Sequence, residues 1–137
     1  MGSFFAPKTS VDPVRIARLF ETAVNARDFD AVGLLVTEGV TILDSLSAPL
    51  NGREGVIASV RAVVEQMPGL TVSYEEISRT EGGLLVRGHL VDSDRDVRIP
   101  SLWDFEFDGP LIAKIQAFRE ANVISLPQFS RQAGLAN

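Results

Sequence analysis

The chain has 137 residues, 45% of them hydrophobic, and sets 18 acidic against 13 basic residues for a net charge of −5. That length supports a single domain with a real core, and the absence of cysteine excludes disulfides, thiolate catalysis and cysteine-bound zinc. Scattered basic residues on an acidic chain lack the footprint of a nucleic-acid binder, and no apolar run is long enough to cross a membrane, so a soluble, cytoplasmic protein is expected.

Residues 1–11 are expected to be a disordered or artificial leader, residues 12–123 one domain, and residues 124–137 a tail. Asp12-Pro13 is an N-cap and first-turn pair, and Ile16, Leu19, Phe20, Ala23 and Val24 recur at helical spacing, so a first helix runs to about Ala26. Asp28 caps a short second helix carrying Ala31, Val32, Leu34 and Leu35 that ends near Gly39. Val40 to Asp44 reads as a strand. Asn51 with Glu54 forms a capping pair for a third helix, the strongest of the three, whose stripe of Val56, Ile57, Val60, Val63, Val64 and Met67 ends at Pro68-Gly69.

From Leu70 the period changes to that of strands. TVSYEEISRT, the turn Gly82-Gly83, LLVRGHLV, the polar DSDRD, a strand to Phe107, the turn Asp108-Gly109 and LIAKIQAFREANVI describe four antiparallel strands joined by hairpins. Helices followed by such a meander imply an α+β domain with helices on one face of a curved antiparallel sheet. In the strand Val97 to Phe107, residues Ile99, Ser101, Trp103, Phe105 and Phe107 alternate onto one face and Arg98, Leu102, Asp104 and Glu106 onto the other. Leu43, Leu85, Val91 or Val97 would lie among charges on the outer face, a surface suited to a homodimer.

Asp44 is the first candidate for chemistry. If Val40, Ile42 and Asp44 share a face, an ionisable group points where apolar side chains point, and burial would raise its pKa and make it a better base. The other reading makes it a turn cap before the loop that starts at Ser45. Trp103 is either core filler or, through its indole N–H, a donor to a bound oxygen. The lone His89 falls on an outer face, which supports neither a histidine metal site nor a catalytic triad, and no G-x-S-x-G pattern is present. Gly82-Gly83 and NGREG are a hairpin turn and a helix start, not phosphate loops.

The residues RDFDAV, ILDSLS, NGREGV and IAKIQAFRE, in this order of elements, make the chain resemble the nuclear transport factor 2-like superfamily, and within it the ketosteroid isomerase and SnoaL-like polyketide cyclase branch. The resemblance spans roughly Val14 to Val123 and implies a cone-shaped, cystatin-like α+β barrel with three N-terminal helices, an apolar cavity and frequent homodimerisation. It also implies that Asp44 is the general base of a proton transfer next to a carbonyl. Phe20 falls where the family carries a tyrosine donor and Trp103 where it carries an acid, so neither donor is kept. In the last strand the resemblance sets Gln116, Phe118, Glu120 and Asn122 toward the pocket, and Ile115, Ala117, Arg119 and Ala121 outward. Glu120 would then be a second carboxylate near Asp44, or a charge paired with an arginine at the barrel mouth.

Three functions follow from different classes. The first is a cofactor-independent enzyme moving a proton on an apolar, cyclic carbonyl compound, with Asp44 catalytic and Phe20, Trp103, Phe118, Glu120 and Asn122 binding the substrate. The second is an epoxide hydrolase- or dehydratase-like enzyme on the same fold. The third is a non-catalytic module that binds a small hydrophobic ligand or dimerises. None of the three needs a metal or an organic cofactor.

Overall fold

The computed structural model describes residues 11–44 and 47–119. The expected leader and tail therefore fall almost wholly outside the described residues. The elements in chain order are α1 (Pro13–Asn25), α2 (Phe29–Leu34), β1 (Val36–Asp44), β2 (Ser47–Asn51), α3 (Arg53–Gln66), β3 (Leu70–Thr80), β4 (Gly83–Asp92), β5 (Val97–Asp108) and β6 (Leu111–Arg119). Among the described residues, no helix is long and apolar enough to cross a membrane.

Local chemistry explains the helix starts. The Asp12 carboxylate accepts the Val14 N–H at 3.0 Å with Pro13 in the first turn, and the Asp28 carboxylate accepts the Ala31 N–H at 3.1 Å. Helix α1 buries Ile16, Ala17, Phe20 and Ala23, whereas α3, expected to be the strongest, fully buries Val56 and Val64 and only half-buries Ile57, Val60 and Val63. Its N-cap is Gly52, at φ 84°, and not Asn51, whose side-chain oxygen instead faces the Thr41 hydroxyl at 3.4 Å. Helix α2 stops at Leu34, short of the expected Gly39, because β1 begins at Val36 and the Leu35 carbonyl already accepts the Ile112 N–H at 2.9 Å.

The six strands form one open, curved sheet in the order β2-β1-β6-β5-β4-β3. Neighbours run antiparallel except β1 and β6, which pair parallel, a crossing that the expectation of an antiparallel sheet did not contain. Strand β2 is a second difference, since Ser47–Asn51 pairs with β1 where the sequence reads as a loop. The helices cover one face, where Met67, Leu84, Phe105, Ile112 and Val86 are fully buried. Val97, counted above as a possible outer residue, lies on this covered face beside Asp92 and Ile99 and packs against the core.

Strand β3 ends the sheet, and α1 seals it. The Asn25 side chain donates to the Val72 carbonyl and accepts the Val72 N–H, both at 2.9 Å. One turn earlier, Glu21 accepts the Tyr74 N–H at 2.8 Å and Arg18 donates to the Tyr74 carbonyl at 2.6 Å. Three side chains at helical spacing thus satisfy the backbone groups that an edge strand would otherwise expose. At the strand's far end Arg79 pairs with Asp12 at 2.7 Å, tying the edge to the start of the same helix.

Candidate functional site

Register places Asp44 on the covered face. It lies beside Ala117 in the parallel β1–β6 pair, Ala117 lies opposite Trp103, and Trp103 lies opposite Val86. Adjacent residues across a ladder share a face, and Ala117, Trp103 and Val86 are all buried. The next row inward, Ile42, Ile115, Phe105 and Leu84, is apolar throughout. Asp44 is half-buried at the end of this wall. The β1–β2 pairing shifts by one residue between Ile42 and Asp44, and such irregularities re-aim a strand terminus. Ala117 contributes only a methyl group to the row. Two strand spacings put the Asp44 and Trp103 backbones about 10 Å apart, and no side chain of the sheet larger than that methyl stands between them.

Phe20, Tyr74, Trp103 and Phe105 form one aromatic cluster between α1 and the sheet. Ring centroids are 5.1 Å apart for Tyr74 and Trp103, 5.9 Å for Tyr74 and Phe105 and 6.2 Å for Phe20 and Phe105. Phe20 and Trp103 are both buried in this cluster, on the covered face where they were expected. Tyr74 was not singled out from the sequence, although its position in β3 has the same alternation with Leu70 that exposed Trp103 in β5. Burial, and secondarily the negative charge of Glu21, hold its phenol far above the usual tyrosine range. It is a neutral hydroxyl at any working pH. Gly88, between Tyr74 and Ser101 in the register, has no room for a Cβ, which would run into the Ser73 carbonyl oxygen.

Phe118 is on the wrong face for a pocket residue. Ile115 and Ala117 are buried, while Phe118 is 38% exposed and pairs with Leu102 on the outer face. The expected register of the last strand is inverted because the β5–β6 pairing shifts between Glu106 and Phe107, and a one-residue slip sends every following side chain to the opposite face. Gln116 goes outward with Phe118, opposite Asp104. Glu120 and Asn122 lie outside the described residues.

Asp92, Ser101 and His89 have structural partners, and among the described residues Arg53 Nε is the one buried side-chain polar atom without one. The fully buried Asp92 accepts the Asp94 N–H and the Arg95 guanidinium, each at 3.0 Å, and so closes the β4–β5 turn. Ser101 donates to the Ile99 carbonyl at 3.1 Å. His89 stands on the outer face as expected, with Nδ1 2.8 Å from Glu75, which Arg98 also approaches at 3.0 Å. The His89 hydrogen bond is the main reason that the Glu75 carboxyl sits below its usual range. Among the described residues, no group of three or more His, Asp or Glu is arranged to hold a metal ion. An open groove of about 590 Å³ at the β3–β4 turn is lined by Thr80, Glu81, Asp104, Glu106, Phe105 and Phe107, and Asp44 and Trp103 are not among its lining residues.

Comparison with known proteins agrees with this architecture. The chain matches the model of the SnoaL-like domain over residues 16–115. No curated protein matches it. It is similar to the solved structure of a protein described as a SnoaL-like polyketide cyclase from Jannaschia sp. CCS1, with 17% identity, 95% of this chain and 99% of that one covered, and a TM-score of 0.71. A nuclear transport factor 2-like protein from Cytophaga hutchinsonii ATCC 33406 is similar at 14% identity, with 90% and 99% covered and a TM-score of 0.70. A protein with a ketosteroid isomerase-like fold from Catenulispora acidiphila DSM 44928, solved in complex with trimethylamine, is similar at 15% identity, with 82% and 88% covered and a TM-score of 0.68. The helices on a curved sheet are the fold of these structures, and the extent of the family match makes one conclusion: the chain belongs to the SnoaL-like domain family.

Proposed function

We propose that the protein is a cofactor-independent enzyme that moves a proton on an apolar, cyclic carbonyl compound, with Asp44 as the base. The observation that carries this reading is the row Asp44, Ala117, Trp103: a carboxylate and an indole on one covered face with only a methyl between them. A flat ring lying over Ala117 would present an acidic C–H next to its carbonyl to the carboxylate. Asp44 takes that proton, the electron pair moves into the ring as an enolate whose oxygen is held by a donor on the far side, and the proton returns to another carbon of the same conjugated system. A carboxylate is a weak base toward carbon, so most of the acceleration must come from holding the substrate and from enolate stabilisation.

The test is isomerisation of a β,γ-unsaturated cyclic ketone, followed by the absorbance of the conjugated product. Asp44→Asn should reduce turnover on the order of a thousandfold while ketone binding persists. Unchanged turnover, together with a lower melting temperature, would assign the carboxylate to the turn between β1 and β2 instead.

The second reading is a non-catalytic module binding a small hydrophobic molecule, and the position of Asp44 directly before that turn favours it. Homodimerisation is part of either reading. Phe118, exposed, sits with Leu102 and the half-buried Leu43 and Leu85 on the outer face, and a monomer mass by light scattering at micromolar concentration would reject that association.

A further inference from the structure

Resting on the homodimer read above, we propose that acid tightens the association, with His89 as the sensor and Arg98 as the group it releases toward the second copy. The outward side chains of β5 run Arg98, Pro100, Leu102, Asp104 and Glu106, with a cation at one end, apolar residues at the centre and two acids at the other end. A face packed on a copy of itself is related to it by a two-fold axis lying in the plane of contact. With that axis along the strands, Arg98 would meet Arg98 and Glu106 would meet Glu106. With the axis across the strands at Leu102, each strand lies over its own copy in reverse. Arg98 then stands over Glu106 of the second copy, while Leu102 and the exposed Phe118, which share a row, stand over themselves. Arg87, also in the Leu102 row, is paired with Glu76 at 3.5 Å and so adds no net charge on the axis. A surface that reads as its own complement fits a second copy of this chain.

Within one chain, Arg98 is held by Glu75. A single Glu75 oxygen lies 3.2 Å from the Ser73 hydroxyl, 2.8 Å from His89 Nδ1 and 3.0 Å from Arg98 Nη2. Glu75 stands at the break in the β3–β4 pairing between Tyr74 and Glu76. The charged groups around His89 are thus Glu75 and Glu76 from β3, Arg98 from β5 and Arg87 on its own strand. A ring nitrogen 2.8 Å from a carboxylate oxygen carries the proton, so the neutral ring is the Nδ1–H form and acid adds a proton at Nε2. The ring then becomes a cation 3.4 Å from the Arg98 guanidinium, and two cations compete for one oxygen. The His89 side chain is 23% exposed and that of Arg98 59%, on a longer and more flexible stem, so Arg98 gives way. The Glu75 carboxyl, held below its usual range chiefly by the His89 hydrogen bond, stays ionised and keeps the imidazolium. The displaced guanidinium turns to Glu106 of the second copy, which is 56% exposed and has Lys114 of its own chain at 3.5 Å. Symmetry repeats the exchange, so one titration is read at two contacts.

The chain has one histidine, the side chain type whose ordinary charge change falls between pH 5 and 8, so a comparison of pH 8 with pH 5.5 addresses it. Fluorescence-detected sedimentation at low salt, from nanomolar to micromolar protein, gives the dimer dissociation constant at each pH. The wild type should associate about fivefold more tightly at pH 5.5, the size of two exposed ion pairs. His89→Gln, Arg98→Gln and Glu106→Gln should each reduce that gain to less than about twofold. Arg98→Gln keeps the histidine and its titration, and so separates release of the guanidinium from a general fall in net charge. Equal or weaker association of the wild type at pH 5.5, or a gain that survives in any of the three variants, overturns the proposal and leaves the homodimer standing. A monomer at both pH values removes the homodimer and its regulation together. A second measurement needs no variant: the gain should vanish in about 1 M salt, which screens exposed pairs, and a gain that persists there overturns the proposal.

Discussion

Along the β3 edge of the sheet, three polar side chains of α1 occupy the backbone positions that another strand would take, and the helix and strand are fixed to one another at Val72, Tyr74 and Arg79. The opposite edge is finished by β2, five residues long and containing Pro49, which cannot donate a ladder hydrogen bond. Both solutions prevent further strand pairing, but they differ in what they hold. The helix-sealed edge fixes the aromatic wall through Tyr74. The short edge leaves Asp44 paired through a few residues with a register shift among them. On its other side Asp44 is held by β6, whose Lys114 to Ala117 pair without a break with Thr41 to Asp44, so the acid is placed by the inner strand and the aromatic wall by the helix.

The largest test of this contrast removes the seal. Asn25→Leu deletes two hydrogen bonds and leaves the Val72 N–H and carbonyl half-buried without their partner, at a cost of about 2–3 kcal/mol. The melting temperature should fall by roughly 6–12 °C, and a fall under 2 °C would show that the edge is satisfied without the helix. Ala117→Leu should have a smaller effect on stability, about 1–3 kcal/mol of overpacking, but should abolish binding of the cyclic ketone used in the isomerisation assay. Retention of tight binding in a folded Ala117→Leu protein would move the ligand away from the Asp44 row.

The smallest effect is one of pH. Glu75 on β3 has a folded-state pKa below its unfolded value, so it binds fewer protons folded than unfolded in the acid range, and its contribution is present above the unfolded pKa of about 4.3 and lost as pH falls through the folded one. Urea midpoints should show Glu75→Gln losing less stability than the wild type between pH 6 and pH 3. Parallel losses in the two proteins would make the His89 contact energetically silent.

The features legible in the sequence were those written in local chemistry. Asp12 and Asp28 announce their helices because their carboxylates bond backbone N–H groups two and three residues ahead. The covered face of β5 was legible because large apolar residues alternate with charged ones through an unbroken strand. Strand β6 misled because LIAKIQAFR has apolar residues on both parities, and the shift in pairing with β5 depends on a partner strand that local pattern does not describe. β2 reads as loop because Ser47, Pro49 and Asn51 are turn formers, and an edge strand tolerates them. The parallel β1–β6 pairing leaves no local trace. Tyr74 escaped notice for a different reason: the paired glutamates after it break the alternation that would have marked its face, and only the shift at that point restores it.

The parallel pairing of β1 with β6 also sets an order of assembly. During synthesis β1 and β2 emerge early, yet the only strand that joins them to β3, β4 and β5 is the last in the sheet. A two-stranded ribbon has little stability in water, and closing so long a loop is the slow, entropically costly part of folding such a topology. The meander β3 to β5 can form as a unit, with Trp103 against Tyr74, while Asp44 waits on the other side of a missing strand. Arrival of β6 therefore completes the sheet and brings Asp44 into one row with Trp103 in one event, so a chain that stalls before Ala117 is inserted leaves the two on separate pieces of sheet.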